Sequence, residues 1–283
     1  MIILAATPIG NLGDASRRLV EALENATVVA AEDTRTTVRL LAGLKIENRP
    51  RLIALHDHNE RDRAGELVAI AQTEDVLVLS DAGMPTVSDP GFHLVEAAAL
   101  AGVTVTALPG PSAVITALAV AGLPTDRFSF EGFLPRKPSE RRQALHALAT
   151  ERRTMVFFES PNRLAASLHD MAGEAAFGPT RRVVVCRELT KMFEEVKRGT
   201  AHDLALWADP GVRGEICVVV EGAPERIVDA EEGIRQVRAL VAGGMRVKEA
   251  AAEVAEATGM SKRDLYQAAI EKPAVEKPAA PKP

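Results

Sequence analysis

The chain has 283 residues, 47% hydrophobic and 26% charged, with a formal net charge of -5. That length suits a globular protein of about two domains at roughly 100–200 residues each, and the acidic balance excludes indiscriminate nucleic-acid binding over the whole surface while leaving room for a local basic patch. No apolar run reaches the roughly 18 residues of a membrane span, and MIILAATPIG lacks the basic start of a signal peptide, so the expectation is a cytoplasmic protein without a membrane partner.

In chain order, MIILAA reads as a strand and DASRRLVEALENA as a helix, and TVVAAE with DTRTTVRLLAGL repeats the pair. RLIAL leads into HDHNERDRAGELVAIA, VLVLS into FHLVEAAALAG, and VTVTALPG into PSAVITALAVAG. Short β-branched runs alternating with helices over residues 1–121 imply an α/β domain whose parallel sheet is covered on both faces. Residues 122–136, GLPTDRFSFEGFLPR, interrupt the rhythm with prolines and glycines and are expected to connect two domains. A second α/β domain over 137–225 is expected to hold a mixed sheet, because RRTMVFFES, RRVVVCREL, EEVKRGT and RGEICVVVEG resemble hairpins more than a clean alternation with helices. Residues 231–270 carry three short helical patterns, and Gly259 followed by Ser261 joins the last two as a helix-turn-helix-like unit. The remainder, 271–283, reads as a disordered tail.

The chemistry concentrates at predicted strand ends. TPIGNLGD fits neither GxGxxG nor a P-loop; a glycine turn feeding a helix capped by Asp14 explains it. LSDAGMPTVSDPG sets Ser80, Asp81, Gly83, Ser88, Asp89 and Gly91 around two prolines where a strand hands over to a helix, the usual ligand position of an open α/β sheet. ALPGPSAV places Ser112 and the free N–H groups of an apolar helix at a second such end. Gly83 and Gly110 would let both loops approach a small ligand closely. Asp33, His56, Asp57, His58 and Asp81 are of types that bind hard metals, yet polar loop residues satisfying one another explain them better, and no metal is expected. Cys186 and Cys217 lie in apolar runs as reduced core thiols. CRELTKMFEE offers Arg187, Glu188 and Lys191 either as an ion-pair cluster or as an anion clamp with a carboxylate. Residues 136–153 hold six Lys/Arg against two Glu, which reads as a solvated helix face or a basic patch.

TPIGNLGD, AEDTR, HDHNE, SDAGMPTVSDPG, PGPSAV, FEGFLPRK, FFESPNRL, CRELTKMFEE and RGEICVVVEG, in this order, resemble the ribosomal RNA small subunit methyltransferase I family, of the tetrapyrrole-methylase fold. The resemblance covers residues 2–222, and VKEAAAEVAEATGMSKRDLYQAAI is similar to that family's C-terminal helical module. It implies two α/β domains with a cofactor cleft between them, a homodimer, and S-adenosylmethionine as cofactor. The implied reaction is methylation of the ribose 2′-hydroxyl of a cytidine (cytidine 1402) in 16S rRNA, as free RNA or in the 30S subunit. By motif position, Asp81, Ala82, Gly83, Met84, Ser112 and Ala113 would border the cofactor, with Pro8, Phe158 and Leu189 beside them. Glu188, Asp33 and Arg35 are the candidates for managing the hydroxyl proton. Arg136, Lys137, Arg141, Arg142, Arg187, Lys191, Lys262 and Arg263 are the expected RNA contacts. The alternatives are a methylase of the same fold acting on a tetrapyrrole or a modified histidine (a diphthine-type methylase), a non-catalytic nucleic-acid-binding regulator, and a metal hydrolase built on HDH and Asp81.

Overall fold

The computed structural model describes residues 1–224 and 230–270, which form two compact units, Met1–Ala223 and the helical segment after Pro224. In the first unit, β1 (Ile2–Ala5), β2 (Val28–Ala31), β3 (Arg51–Ala54), β4 (Val76–Leu79) and β5 (Val105–Leu108) pair in parallel in the order β3-β2-β4-β1-β5. Parallel neighbours need a crossover, and helices α1 (Arg17–Asn25), α2 (Thr34–Gly43), α3 (Glu60–Ala71) and α4 (Phe92–Leu100) supply it. Successive side chains of a strand point to opposite faces. Ile2, Leu4, Val28, Ala30, Val76 and Val78 therefore pack on α3 and α4, while Ala5, Val29, Ala31, Leu77 and Leu79 pack on α1 and α2. Both faces are buried, which explains the unbroken VLVL of β4.

The next helix, α5 (Ala113–Ala121), follows β5 in sequence but packs on a second sheet, against Val156, Val184, Cys186 and Val219. That sheet contains β6 (Phe128–Phe133), β7 (Thr154–Glu159), β8 (Arg182–Arg187), β9 (Glu195–Thr200) and β10 (Ile216–Val220) in the order β6-β7-β10-β8-β9. Only β6 and β7 are parallel, so the sheet is mixed. Its other face buries Met155, Phe157, Val185 and Val218 against α6 (Pro138–Ala147), α7 (Leu164–Ala172) and α8 (Ala201–Ala208). The expected connection over 122–136 thus contains a strand. FSFEGF keeps its pairing with β7 because the register shifts between Phe130 and Gly132, where Gly132 adopts φ +65°; one extra residue in a bulge absorbs the glycine.

The second unit is α9 (Ala230–Ala242), α10 (Val247–Thr258) and α11 (Lys262–Ile270) around Val237, Ala250, Ala251, Val254 and Leu265. Gly259 ends α10 in the left-handed conformation, and the Ser261 hydroxyl accepts from the Asp264 N–H at 3.4 Å. The expected 271–283 tail lies outside the described residues. No helix among the described residues is long and apolar enough to cross a membrane.

Candidate functional site

A cleft of about 430 Å³ opens between the two sheets of the first unit, within the range of roughly 300–1,000 Å³ seen for small-molecule sites. Its floor is the loop after β4, with Asp81, Ala82, Gly83, Met84, Val87, Ser88 and Asp89; Ser112, Ala113 and Val114 begin α5 beside it. Glu32 after β2 and Ile9 after β1 complete the first-sheet side. The second sheet supplies Phe133, Phe158, Leu189, Glu215 and Ile216. Phe158 meets Phe130 and Phe133 edge-on at centroid distances of 4.9 and 5.6 Å, a preferred aromatic arrangement.

The floor loop is tied at both ends. Thr7 and Gly83 exchange two backbone hydrogen bonds of 2.9 and 3.1 Å, with Gly83 at φ +84°. A side chain there would be strained, which is why glycine sits at this turn. At the far end the buried Glu60 carboxylate accepts from the Gly91 N–H (2.9 Å) and the His93 N–H (2.6 Å), satisfying donors at the start of α4.

Three carboxylates gather on the first-sheet side of the cleft. Glu32 Oε2 accepts from the Asp81 N–H and Asp81 Oδ1 accepts from the Asp33 N–H, each at 3.2 Å. Burial raises the Glu32 and Asp81 carboxyls above their ordinary values. Burial, reinforced by the Glu32 charge, pushes Asp89 up to about 7. Together with the aromatic wall, this set suits a ligand carrying a flat ring, hydroxyls and positive charge.

The model described as Tetrapyrrole (Corrin/Porphyrin) Methylases matches residues 1–205, and the RsmI C-terminal HTH domain matches residues 228–272. "Ribosomal RNA small subunit methyltransferase I" of Mycobacterium tuberculosis (strain CDC 1551 / Oshkosh) is 52% identical over 95% of this chain and 94% of its own length. The chain belongs to the ribosomal RNA small subunit methyltransferase I family. The Escherichia coli O157:H7 protein of that name is 42% identical over 96% of this chain and 95% of its own. Among solved structures, a diphthine synthase superposes with a TM-score of 0.59 at 17% identity, covering 78% of this chain and 89% of its own. A uroporphyrin-III C-methyl transferase from Thermus thermophilus, complexed with S-adenyl homocysteine, gives 0.55 at 17% identity, covering 78% of this chain and 96% of its own. At these identities the likeness is one of fold, the tetrapyrrole-methylase fold.

In this family member, Asp81, Ala82, Gly83, Met84, Ser112, Ala113, Phe158 and Leu189 all line the cleft. Pro8 does not: it faces a smaller neighbouring cleft, and Ile9 takes the place expected for it. Gly110 is also absent from the lining; a Cβ there would lie 3.0 Å from the Ala6 Cβ, so its smallness serves packing. Asp14 ends a 3-10 turn, and Ser16 caps α1 instead, accepting from the Leu19 N–H at 3.0 Å. Sequence reasoning missed Glu32, Phe133 and Glu60 and gave Asp89 no role. For Asp89 the one available signal was its place in SDPG.

The proton-handling candidates are engaged elsewhere. Asp33 caps α2 and forks with the exposed Arg35 at 2.6 Å, and that guanidinium holds its carboxyl down to about 2; such a carboxylate is too weak a base for work near neutrality. Glu188, at φ +53°, does not line the cleft. Its Oε1 accepts from the Glu215 N–H at 2.9 Å and from Lys191 Nζ at 3.0 Å, which keep it below the usual carboxylate range. Lys191 also pairs with Glu215 at 3.0 Å, and Arg187 with Glu195 at 3.1 Å, so this trio braces the strand ends.

Of the expected basic patch, Arg141 departs furthest. It is 6% exposed and pairs with Asp170 at 2.7 Å, tying α6 to α7, because position 141 falls on the inner face of its helix. Arg142 is exposed, 3.7 Å from the same carboxylate. Arg136 and Lys137 are exposed, the latter bonded to Glu140 at 2.9 Å; Lys262 and Arg263 are exposed on α11 of the other unit. The HDH segment ends outside β3, so His56 and His58 do not share a strand face; their rings lie edge-on, 6.0 Å apart. Among the described residues no three His, Cys, Asp or Glu are placed to hold a metal ion.

Proposed function

We propose that this chain is an S-adenosylmethionine-dependent methyltransferase acting on the ribose 2′-hydroxyl of a cytidine, at the position of cytidine 1402, in 16S rRNA. The observation that carries the reading is the cleft itself: an aromatic wall, a glycine-turned floor and a carboxylate rim in a chain whose relatives are named for methylating small-subunit ribosomal RNA. A cytoplasmic homodimer working on free 16S rRNA or the 30S subunit belongs to the same proposal.

When bound, S-adenosylmethionine supplies a methyl group already activated by a positively charged sulfur. The protein's task is then placement, a proximity effect worth up to roughly 7–11 kcal/mol. Phe133, Phe158 and Met84 would hold the flat ring and exclude water, and Glu32 and Asp81 would meet hydroxyl and ammonium donors. Asp89, rather than Glu188, Asp33 or Arg35, is assigned the acceptor's proton: it lines the cleft, and its pKa of about 7 suits a base at neutral pH.

The test is tritiated S-adenosylmethionine with 30S particles from a strain lacking the gene, followed by mapping of the label. Label on a cytidine ribose oxygen is the expected outcome. Label on a base, or none on RNA but transfer to a tetrapyrrole or protein, would replace the reading.

A further inference from the structure

The loop after β4 closes on itself through a side-chain contact between its two ends. Ser80, its first residue, is buried at the end of β4, and Asp89 lies near the other end, next to the buried Pro90. The Ser80 hydroxyl hydrogen-bonds the Asp89 carboxyl and also reaches the Gly83 carbonyl, at 3.3 Å. The Ser80 carbonyl accepts from the Thr7 hydroxyl at 3.2 Å, so β1 holds this residue as well. Around Asp89, the Pro90 carbonyl accepts from the Thr86 N–H at 3.3 Å, and Glu60 holds the Gly91 and His93 N–H groups. The backbone on both sides of the contact is therefore fixed. The charged groups that act on Asp89 are Glu32 after β2, Asp81 after β4 and Asp57 after β3, all of them anions.

A serine hydroxyl has one hydrogen to donate and keeps lone pairs that accept. With Asp89 protonated, the carboxyl can donate to Ser80 Oγ while Ser80 donates to the Gly83 carbonyl. With Asp89 ionised, the carboxylate only accepts, so the Ser80 hydrogen turns to it, and the Gly83 carbonyl keeps the Thr7 N–H at 2.9 Å. A hydrogen bond to an ionised acceptor is roughly twice as strong as a neutral one, so the contact favours the charged form. Burial, then the Glu32 charge, raise Asp89 to about 7; the Ser80 bond opposes them, and Asp81 and Asp57 add smaller repulsions. A carboxylate bonded to Ser80 still has lone pairs left for a proton arriving from the cleft. Ser80 itself does not line that cleft, so it acts on the reaction only through Asp89.

We propose that Ser80 is a positioning residue for methyl transfer: its hydroxyl holds the ionised Asp89 carboxylate toward the cleft, where that carboxylate takes the proton released by the acceptor's hydroxyl. The assignment rests on the methyltransferase reading and on the role given to Asp89 above.

The experiment follows single-turnover methyl transfer to unmethylated 30S subunits against pH, in the full chain and in its Ser80→Ala and Ser80→Cys variants. Ser80→Ala removes a bond that favours the ionised carboxylate, so the midpoint of the rate profile is expected to move upward by up to about one pH unit. Its deficit is then largest below neutrality and shrinks as pH rises. Ser80→Cys keeps the shape with a weaker donor and is expected to fall between the two. A merely structural role would lower the rate or the melting temperature with the midpoint unmoved, and that result would overturn the proposal. Carbon-13 NMR of the Asp89 carboxyl, assigned with Asp89→Asn, reads the same shift without RNA. Equal Asp89 midpoints in the parent and Ser80→Ala would overturn the proposal whatever the substrate. A shifted Asp89 midpoint in a protein that transfers no methyl group to RNA would support the Ser80–Asp89 contact and overturn the functional reading instead.

Discussion

Asp89 and Glu188 are both carboxylates near the same cleft, and their surroundings push them in opposite directions. Asp89 sits among Glu32 and Asp81, and burial with like charge raises it to about 7; Glu188 takes hydrogen bonds from Glu215 N–H and Lys191 and is lowered. Asp89→Asn should therefore cut single-turnover methyl transfer by about 10²–10⁴-fold. In the parent, that rate should climb with pH through about 7, because only the ionised form accepts a proton. Stability runs the other way. The folded Asp89 carboxyl holds its proton well above the unfolded value of about 3.9, so its contribution is complete below that pH and is lost as pH rises through about 7. Asparagine does not ionise, so the variant should melt above the parent at pH 8, with the gap narrowing at pH 5. A variant with parent-like rates and no such gap would remove Asp89 from the reaction. Glu188→Gln should instead melt a few degrees lower, with near-native cofactor affinity and rate, since it loses a charged bridge outside the cleft. Because Glu188 is lowered, its stabilisation is present above the unfolded carboxyl pKa of about 4.3 and disappears as pH falls through the folded value.

At the scale of the element, the loop after β4 holds its shape against local preference. Gly83 and Gly91 adopt φ of +84° and +131°, and Thr86 and Ser88 adopt +78° and +62°. For residues with a Cβ such conformations cost of order 1–2 kcal/mol each. Glu60, reaching from α3, offsets part of this by accepting from Gly91 and His93 while buried. Glu60→Ala should leave the buried Gly91 N–H without its acceptor, at about 1–3 kcal/mol, and the part-buried His93 N–H at less. Denaturant unfolding should register that loss, and calorimetry should show weaker S-adenosylmethionine binding because the floor of the cleft loosens. Glu60→Gln keeps a carbonyl acceptor and should recover most of both. Equal affinity in all three proteins would show that the loop holds its shape without this tether.

Across the whole molecule, each unit has its own apolar core: four clusters serve the two sheets, and Val237, Ala250, Ala251, Val254 and Leu265 serve α9, α10 and α11. A chain ending at Pro224 should therefore fold cooperatively and bind S-adenosylmethionine as the full chain does. Its 30S affinity should drop, and its salt slope should shrink by about 0.7–0.9 for every phosphate that Lys262 and Arg263 neutralise in the full chain. Undiminished RNA affinity in the shortened chain would confine recognition to the first unit.

Much of this architecture was legible in the sequence, because burial on both faces leaves a trace: VLVL and VVAA read as strands of a covered parallel sheet, and SDAGMP with PGPSAV marked the loops that line the cleft. Local rules also found the α10–α11 turn, since Gly259 and Ser261 act on their immediate neighbours. What failed were judgements that depend on which side of an element a residue faces. Arg141 is indistinguishable from Arg142 in a basic run until α6 docks and buries one against Asp170. Pro8 and Ile9 are adjacent, yet the backbone sends them to different clefts. Asp89 differs from any loop aspartate only because folding brings Glu32 and Asp81 to it and removes water. Composition and periodicity fix which residues are buried and where the chain turns, because those are local and additive; the direction of a side chain and the charge it feels are set by partners distant in sequence, and only the tertiary structure supplies them.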